Sequence, residues 1–297
     1  EVRFGFPFFI HFKNLNLMEL RRAQRKQIKM KLGIQAPSGA GKTYSSLLLA
    51  YGLIGDWSKI AVIDTENHSS ELYSHLGEYN VLPLKEPFSP ERYIEAIETC
   101  ENAGMEVVII DSISHEWDGK GGILEVHSKM TGNSFTNWHK VTPRHNEFVQ
   151  KILQSPMHII ATIRSKQDYV LSDKNGKMVP EKVGLKGVQR DGVDYELTIV
   201  FELDLKHNAV ATKDRTSMFV DKPQFVISEA TGKRIREWCN KGVGVEQVKK
   251  EIEQAQSREE LGRIYKQHPE MKEQIFPIIL RRKEALKDST VTKPQNQ

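Results

Sequence analysis

A glycine-rich segment that ends in lysine and threonine has the residue types that hold phosphate groups. Residues 36–43 read APSGAGKT and match the phosphate-loop pattern GxxxxGK[ST], with Ala36 in place of the first glycine. Glycines let backbone N–H groups wrap around phosphates, and a helix starting near Lys42 points its positive end at them. Alanine fits the first position if its φ is negative. We expect Lys42 to reach the β- and γ-phosphates and Thr43 to ligate Mg²⁺. The predicted nucleotide-binding residues are Ala36, Pro37, Ser38, Gly39, Ala40, Gly41, Lys42, Thr43 and Tyr44.

A carboxylate at the end of a strand is the second requirement of such a site. Residues 106–111 (EVVIID) are a short apolar run typical of a buried strand, and Asp111 stands at its tip. Open α/β sheets bind ligands at the carboxyl ends of their parallel strands. We therefore expect Asp111 to hold Mg²⁺ and its water together with Thr43.

Hydrolysis would also need a group that orients and polarises the attacking water. Ser112, not glutamate, directly follows Asp111, and two other candidates remain. Glu66 ends the second apolar strand, whereas Glu116 lies five residues after Asp111. Placement at a strand tip beside the phosphate loop favours Glu66, and Glu116 stays open as the alternative.

The elements that must position these residues alternate between strand and helix. Short, apolar, unpatterned strands separated by helices predict a parallel sheet covered on both faces. The predicted strands are 28–34, 59–64, 106–111 and 158–163. The predicted helices are 42–54, one that begins at Ser89-Pro90, and one that begins at Thr142-Pro143.

The pattern changes after residue 165. Runs at 196–205 and 209–212 predict a hairpin, and 225–227 and 234–236 flank a predicted turn at 231–232. From Val245 the sequence is helical and highly charged. The predicted organisation is a basic N-terminal extension at 1–26, a nucleotide-binding core at 27–240, a helical module at 241–287 and a disordered tail at 288–297. We interpret 1–17 as an upstream extension, with Met18 as the natural start.

Composition excludes several classes of protein. The chain has 297 residues, 38% of them in the AVILMFWYC set, and no uncharged apolar run of about 18 residues, so we expect no membrane-spanning helix and no membrane partner. Cys100 and Cys239 stand alone, which excludes a disulfide scaffold and a zinc ribbon and favours a reducing cytoplasm. The ten histidines show no paired-ligand spacing, so no metal besides Mg²⁺ is expected.

Together these motifs resemble the RecA-like ATPases, and within them the phage-encoded RecA-like recombination proteins, including single-strand-annealing ATPases. The likeness covers roughly residues 27–220. The resemblance implies an α/β fold: a RecA-like P-loop NTPase core with a mainly parallel central sheet and a β-hairpin edge, plus a small C-terminal helical region. It also implies ATP and Mg²⁺ as cofactors and the cytoplasm of a bacterial host cell. Besides the phosphate loop, it rests on IDTEN at 63–67, IIDSIS at 109–114, ATIRSKQ at 161–167 and KDRT at 213–216.

The resemblance assigns roles to individual residues. Glu66 and Lys42 match catalytic positions, and Gln167 lies near the position of a γ-phosphate-sensing glutamine. Lys213 and Arg215 resemble a finger that enters the site of a neighbouring subunit, which would make hydrolysis depend on a homo-oligomer, either a ring or a filament. A solvated hairpin end is the alternative for these two residues. A single-strand-binding protein is a further implied partner.

A basic segment could contact nucleic acid. Residues 164–190 hold seven basic and three acidic residues, Tyr169 offers a stacking face, and Asn175-Gly176 is a hairpin signal. In RecA-like proteins the corresponding loop, and the one matching 114–122, contact single-stranded DNA. A solvated surface hairpin is the alternative. The predicted DNA-binding residues are Lys166, Tyr169, Lys174, Lys177, Lys182, Lys186 and Arg190.

Three functions share these motifs. The first is an ATP-hydrolysing protein, stimulated by single-stranded DNA, that acts in phage DNA recombination or annealing. The second is a nucleotide-regulated DNA clamp or loader with little turnover. The third is a phosphate-loop kinase of a small molecule, which the Lys-rich rather than Arg-rich segment 164–190 disfavours.

Overall fold

The computed structural model describes residues 27–174, 177–241, 244–268 and 271–291, with the backbone alone at 167–185 and 287–291. The described residues divide into two compact units, one over 27–241 and the other from 244 onward. The predicted extension 1–26 and most of the predicted tail lie outside the described residues. Within the described ranges, no helix is long and apolar enough to cross a membrane.

The unit over 27–241 is built on one nine-stranded sheet with the order β3-β2-β4-β5-β1-β7-β8-β9, in which β6 pairs with β5. The first six strands of this order pair in parallel with one another, whereas the pairs β7–β8, β8–β9 and β5–β6 are antiparallel. This arrangement confirms the predicted mainly parallel sheet with a hairpin edge. The strands are β1 (Lys31–Ala36), β2 (Ile60–Asp64), β3 (Asn80–Pro83), β4 (Val107–Asp111), β5 (His158–Lys174), β6 (Lys177–Gly187), β7 (Ile199–Leu203), β8 (Asn208–Asp214) and β9 (Phe225–Val226).

Both faces of the sheet are covered, because alternate residues of each central strand point to opposite sides. Val107 and Ile109 of β4 pack into one apolar cluster, and Val108 and Ile110 pack into the other. All five residues of β4 are buried, which explains its unpatterned apolar sequence. Cys100 lies in the second cluster, and burial raises its pKa to about 11.

Ten α-helices and two short 3-10 helices accompany the described strands. Pro90 takes the first helical position of α2 as predicted, and Gly55 ends α1 in the left-handed conformation. The helices are α1 (Lys42–Ile54), α2 (Pro90–Asn102), α3 (Ser114–Asp118), α4 (Ile123–Ser128), α5 (Ser134–Gln154), α6 (Val193–Glu196), α7 (Glu229–Asn240), α8 (Val245–Gln254), α9 (Arg258–Gln267) and α10 (Lys272–Val291).

Several predicted boundaries are wrong. Pro143 lies inside α5, which begins two turns earlier because the Asn133 side chain accepts a hydrogen bond from the backbone N–H of Phe135. The predicted strand at 234–236 and turn at 231–232 belong to α7, where Ser228 and Thr231 form a capping box. Segment 114–122, predicted as a loop, contains α3. Strand β3 was not predicted, and α10 extends four residues into the predicted tail.

The second unit consists of α8, α9 and α10. Its apolar cluster is separate and includes Val248, Ile252, Leu261 and Ile275, each fully buried. Within each helix the buried positions lie three or four residues apart, as in Val248–Ile252, Leu261–Ile264 and Ile275–Ile279, so each helix presents one apolar face to the others.

Candidate nucleotide-binding site

The phosphate loop connects β1 to α1 as the sequence predicts. Ala36 is the last residue of β1 and is buried, and α1 begins at Lys42. Gly39 has a φ of 81° and Gly41 a φ of 85°, in the left-handed region that favours glycine. Ala36, by contrast, is extended strand backbone paired with Arg164, so this position does not require glycine.

Lys42 turns back over its own loop. Its Nζ donates hydrogen bonds to the carbonyl oxygens of Ala36 at 3.2 Å and Pro37 at 3.1 Å. Burial lowers the pKa of Lys42, while the nearby carboxylates of Asp111 and Glu66 oppose this shift. The ammonium group is thus held at the mouth of the loop, where a phosphate oxygen would take the place of the carbonyls.

Thr43 and Asp111, the two residues predicted to hold Mg²⁺, lie together beside Lys42. The Thr43 hydroxyl donates to Asp111 Oδ2 at 2.5 Å, and Thr162 donates to Oδ1 at 2.6 Å. Burial raises the pKa of Asp111, and both hydrogen bonds oppose that shift. A hydroxyl and a carboxylate side by side are hard oxygen donors of the kind that Mg²⁺ takes, with water and phosphate completing its octahedron. The residues present therefore fit this ion.

Glu66 lies next to this pair. Its backbone N–H donates to Asp64 Oδ1 at 2.7 Å, so the buried Asp64 carboxylate positions the turn after β2. The Glu66 carboxylate accepts two hydrogen bonds from Arg164, at 2.8 Å from Nε and 2.5 Å from a terminal nitrogen, and one from Ser112 at 3.2 Å. Sequence reasoning counted Arg164 only among the basic residues of segment 164–190.

Glu116, the alternative to Glu66, is in a different environment. It is fully buried, contacts the His145 ring nitrogen at 3.1 Å and accepts from Gln189 at 3.3 Å. It does not line the cleft that contains the phosphate loop. The geometry therefore favours Glu66 over Glu116 as the group that faces phosphate.

The phosphate loop opens into a cleft of about 920 Å³, which Lys42, Thr43, Glu66 and Asp111 all line. This volume is in the range of ligand pockets. At one side of the cleft the rings of Tyr44 and Tyr73 meet edge to face, with centroids 5.6 Å apart. Such a pair offers an apolar surface for a base.

Tyr73 and His207 are among the cleft residues that sequence reasoning missed. The His207 ring nitrogen lies 3.0 Å from the Ala40 carbonyl oxygen, so the turn between β7 and β8 buttresses the phosphate loop. No local motif marks a histidine in a hairpin turn as part of a distant loop. Tyr73 follows Glu66 by seven residues, through a 3-10 helical segment that no periodicity reveals.

Lys213 and Arg215 lie away from this chain's own phosphate loop. Lys213 pairs with Val200 near the start of β7, whereas the phosphate loop follows the end of the adjacent parallel strand β1. The separation is roughly 13 Å along the strands, from about four residues at 3.3 Å each. Both side chains donate to the Tyr195 carbonyl oxygen, Arg215 at 2.8 Å. Arg215 is exposed, whereas Lys213 is half-buried.

Six of the seven predicted DNA-binding residues belong to the hairpin of β5 and β6, whose backbone pairs from Ser165–Gly187 to Lys174–Lys177, and Arg190 follows β6. The side chains of Gln167, Tyr169, Lys174, Lys177 and Lys182 lie outside the described residues. The remaining three, Lys166, Lys186 and Arg190, line a groove of about 630 Å³ together with Trp117 and Trp138. We call this the aromatic groove.

The aromatic groove combines stacked rings with ion pairs. The Trp117 and Trp138 rings stack with centroids 5.9 Å apart, and both are half-buried. Lys166 pairs with Asp118 at 3.2 Å and Lys186 with Asp191 at 2.9 Å. These exposed pairs contribute little to stability, so a phosphate can replace either carboxylate at small cost.

Comparison with known families agrees with this geometry. No curated protein matches the chain. A family model described as an AAA domain matches residues 28–227, about two thirds of the chain, and these residues include every strand of the sheet. Together with the cleft, this match supports a nucleotide-binding ATPase. The protein therefore belongs to the AAA domain family, and its sheet and phosphate loop form a P-loop NTPase core.

Proposed function

We propose that the protein is a Mg²⁺-dependent ATPase that binds single-stranded DNA and acts in phage DNA recombination or annealing. The observation that carries the ATPase part is the convergence of Lys42, Thr43, Asp111 and Glu66 on one cleft. The DNA part rests on the basic hairpin and on the resemblance to RecA-like recombination proteins.

Six side chains of the cleft have a defined task in this proposal. Lys42 and the backbone N–H groups of the loop hold the phosphates, and Tyr44 and Tyr73 hold the base. Thr43 and Asp111 would hold Mg²⁺, which neutralises charge on the phosphate oxygens when bound. Glu66 orients the attacking water.

The aromatic groove supports the DNA part. It places three of the predicted DNA-binding cations beside two tryptophans, and aromatic faces next to basic side chains are what single-stranded DNA binds. Lys166 lines both this groove and the phosphate cleft. A bound strand and a bound nucleotide would therefore lie close enough to influence each other.

The exposed position of Arg215, away from this chain's phosphate loop, supports hydrolysis within a homo-oligomer. An arginine that cannot reach its own phosphate loop can contribute to hydrolysis only in the site of another subunit. A finger of this kind stabilises the developing charge on the transferred phosphoryl group and accelerates hydrolysis by about 10³–10⁵.

The decisive measurement is the steady-state ATPase rate with and without single-stranded DNA, with Lys42→Ala as the blank. We expect DNA to raise the rate of the wild-type protein and to leave the blank at background. If about four phosphates are contacted, log K for DNA falls with log salt at a slope near −3. A rate that does not respond to DNA, or a slope near zero, would refute the DNA part.

One observation favours a clamp or loader with little turnover as the second candidate. The Glu66 carboxylate is engaged by Arg164, and a glutamate held in this way does not orient water. A single-turnover assay separates the candidates. A clamp binds ATP and DNA without measurable product, whereas the ATPase forms ADP.

A further inference from the structure

The phosphate loop is flanked on both sides, because β1, which it follows, lies inside the sheet between β5 and β7. Asp111 approaches the loop from the side of β4 and β5. His207, in the turn between β7 and β8, approaches it from the other side. The proposed function gives His207 no task, although this residue lines the same cleft.

The hydrogen bond between His207 and the phosphate loop has a fixed direction. Its Nδ1 lies 3.0 Å from the carbonyl oxygen of Ala40, and a carbonyl oxygen can only accept. Nδ1 therefore carries the hydrogen and donates it to the loop. Ala40 is fully buried and belongs to an apolar cluster of the core, so its side chain and its carbonyl oxygen are both held.

The His207 ring also packs against Gly41, the next residue of the loop. A Cβ added to Gly41 would lie 3.1 Å from His207 Nδ1, which is closer than an ordinary van der Waals contact. Gly41 has a φ of 85° and directly precedes α1, so its conformation sets the direction of the N–H groups at the start of that helix. These N–H groups are the ones that bind phosphate in such loops. The histidine thus contacts the loop just before its phosphate-binding helix end.

The turn holds His207 in an uncommon backbone conformation. Its φ of 66° lies in the left-handed region, which few residues other than glycine adopt. The Asp204 carboxylate accepts hydrogen bonds from the backbone N–H groups of Lys206 and Asn208, at 2.8 and 2.9 Å. The Asp204 carbonyl oxygen accepts another from the His207 N–H at 3.0 Å. Conformations of this kind persist where the surrounding structure fixes them, and they cluster at functional sites.

We propose that His207 is a positioning residue that holds the phosphate loop in its nucleotide-binding conformation before a nucleotide arrives. By fixing the Ala40 carbonyl oxygen, it maintains the left-handed conformations of Gly39 and Gly41 and the orientation of the N–H groups that follow. A loop ordered in advance binds more tightly, because less conformational entropy is lost on binding. This inference rests on the proposed nucleotide binding and adds a residue to the same site.

The test measures the affinities for ADP and for a non-hydrolysable ATP analogue, both with Mg²⁺, by calorimetry. His207→Gly removes the donor and leaves a residue that adopts a positive φ without strain. His207→Asn keeps an N–H donor and tolerates the left-handed conformation. Asp221→Gly is the matched control, because Asp221 is exposed, has a φ of 56° and does not line the cleft.

We expect His207→Gly to raise the Kd of both nucleotides by the same factor, about three- to tenfold, which corresponds to the loss of one hydrogen bond. The factor is the same because both nucleotides carry the β-phosphate that the loop holds. His207→Asn should recover most of the affinity, and Asp221→Gly should match the wild type. The KM for ATP should rise with Kd while kcat is unchanged, since binding of the substrate and of the transition state weaken alike.

Several results would overturn the proposal. An unchanged Kd for a folded His207→Gly protein would show that the contact is structural only. Weaker binding of the ATP analogue alone would indicate direct contact with the γ-phosphate instead of an effect through the loop. No recovery in His207→Asn, or an equal loss in Asp221→Gly, would show that the hydrogen bond to Ala40 is not the cause.

The controls separate this inference from the function on which it rests. Melting temperatures of all variants confirm that each protein is folded. If the wild type binds neither nucleotide, the ATPase proposal fails and the role of His207 fails with it. If the wild type binds both and Lys42→Ala abolishes binding, an unchanged affinity of His207→Gly refutes the role of His207 alone.

Discussion

Thr43 and Asp111, separated by 68 residues in the chain, are joined by a hydrogen bond of 2.5 Å at the carboxyl end of the sheet. The bond connects the first turn of α1 with the tip of β4. It brings together the hydroxyl and the carboxylate that Mg²⁺ would require.

Asp111→Asn should raise the Mg²⁺ concentration that gives half-maximal ATP hydrolysis by about 10–100-fold, the usual cost of losing a residue that orients a metal's ligands. The amide keeps one of the two oxygens that accept from Thr43 and Thr162 and loses the negative charge. A Mg²⁺ titration of the ATPase rate measures the effect. Asp56→Asn, an exposed helix-capping position, is the control and should match the wild type. An unshifted titration for Asp111→Asn would remove Asp111 from the metal site.

Glu66→Gln and Glu116→Gln should have different effects. Glu66→Gln should lower kcat by about 10²–10⁴ while nucleotide binding is retained, because only the water-orienting group is lost. Glu116→Gln should instead lower the free energy of unfolding by about 1–3 kcal/mol, since a buried partner of His145 is altered. Rates and thermal melts of both variants decide the assignment. A large loss of kcat in a stable Glu116→Gln protein would reverse it.

The finger residues can be tested by mixing two inactive variants. Arg215→Ala and Glu66→Gln should each abolish hydrolysis alone, and Lys213→Ala should impair it. In a 1:1 mixture, about a quarter of the interfaces join a subunit with an intact Glu66 site to a neighbour with an intact Arg215. If Arg215 acts in a neighbouring subunit, these interfaces regain activity. The ATPase rate of the mixture should then exceed the sum of the rates of the two variants measured separately. No recovery would show that Arg215 does not act between subunits.

Gly52 and Gly232 mark a close helix crossing. A Cβ added to Gly232 of α7 would lie 2.7 Å from the Gly52 Cα atom of α1, with no flexible side chain to move away. Gly232→Ala should therefore lower the free energy of unfolding by about 1–3 kcal/mol, through overpacking. The control is Gly262→Ala in α9, where no atom lies within 4 Å of an added Cβ and helix propensity predicts a gain of about 0.5–1 kcal/mol. Chemical denaturation of both variants tests the contrast, and equal effects would contradict it.

His158 predicts an acid-dependent loss of stability. Its Nδ1 accepts a hydrogen bond from the Met30 N–H at 3.0 Å, and burial, with Lys29 and Lys31 nearby, lowers its pKa to about 3. Below about pH 6.5, His158 binds a proton in the unfolded chain but stays neutral in the folded chain. The free energy of unfolding therefore falls by about 1.4 kcal/mol per pH unit down to about pH 3.

Denaturation midpoints between pH 7 and pH 4 measure this slope. His158→Asn keeps a hydrogen-bond acceptor and removes the titration, so its slope should be smaller than that of the wild type. The exposed His139 provides the control, and His139→Asn should retain the wild-type slope. Equal slopes for wild type and His158→Asn would show that His158 is not the source.

The sequence by itself determined the parallel sheet, the phosphate loop, and the positions of Asp111 at the end of β4 and of Glu66 just after β2. These features depend on neighbours in the chain: an apolar run makes a buried strand, and glycines beside a lysine make a loop with free N–H groups. Boundaries that depend on a competition between local signals were less predictable. Pro143 is typical of a helix start, yet α5 begins upstream of it at Ser134. The Asn133 side chain caps the helix there, and the buried face of α5 continues on both sides of Pro143.

Only the tertiary structure decided which distant side chains meet. The Arg164 partner of Glu66, the exclusion of Glu116 from the cleft and the contact of His207 with the phosphate loop all join residues from separate strands or turns. Likewise, Gly232 suggests a turn in the sequence, but it lies inside α7, where the crossing with α1 leaves no room for a side chain. Pairings of this kind arise from the order of strands in the sheet, and no local spacing in the chain encodes that order.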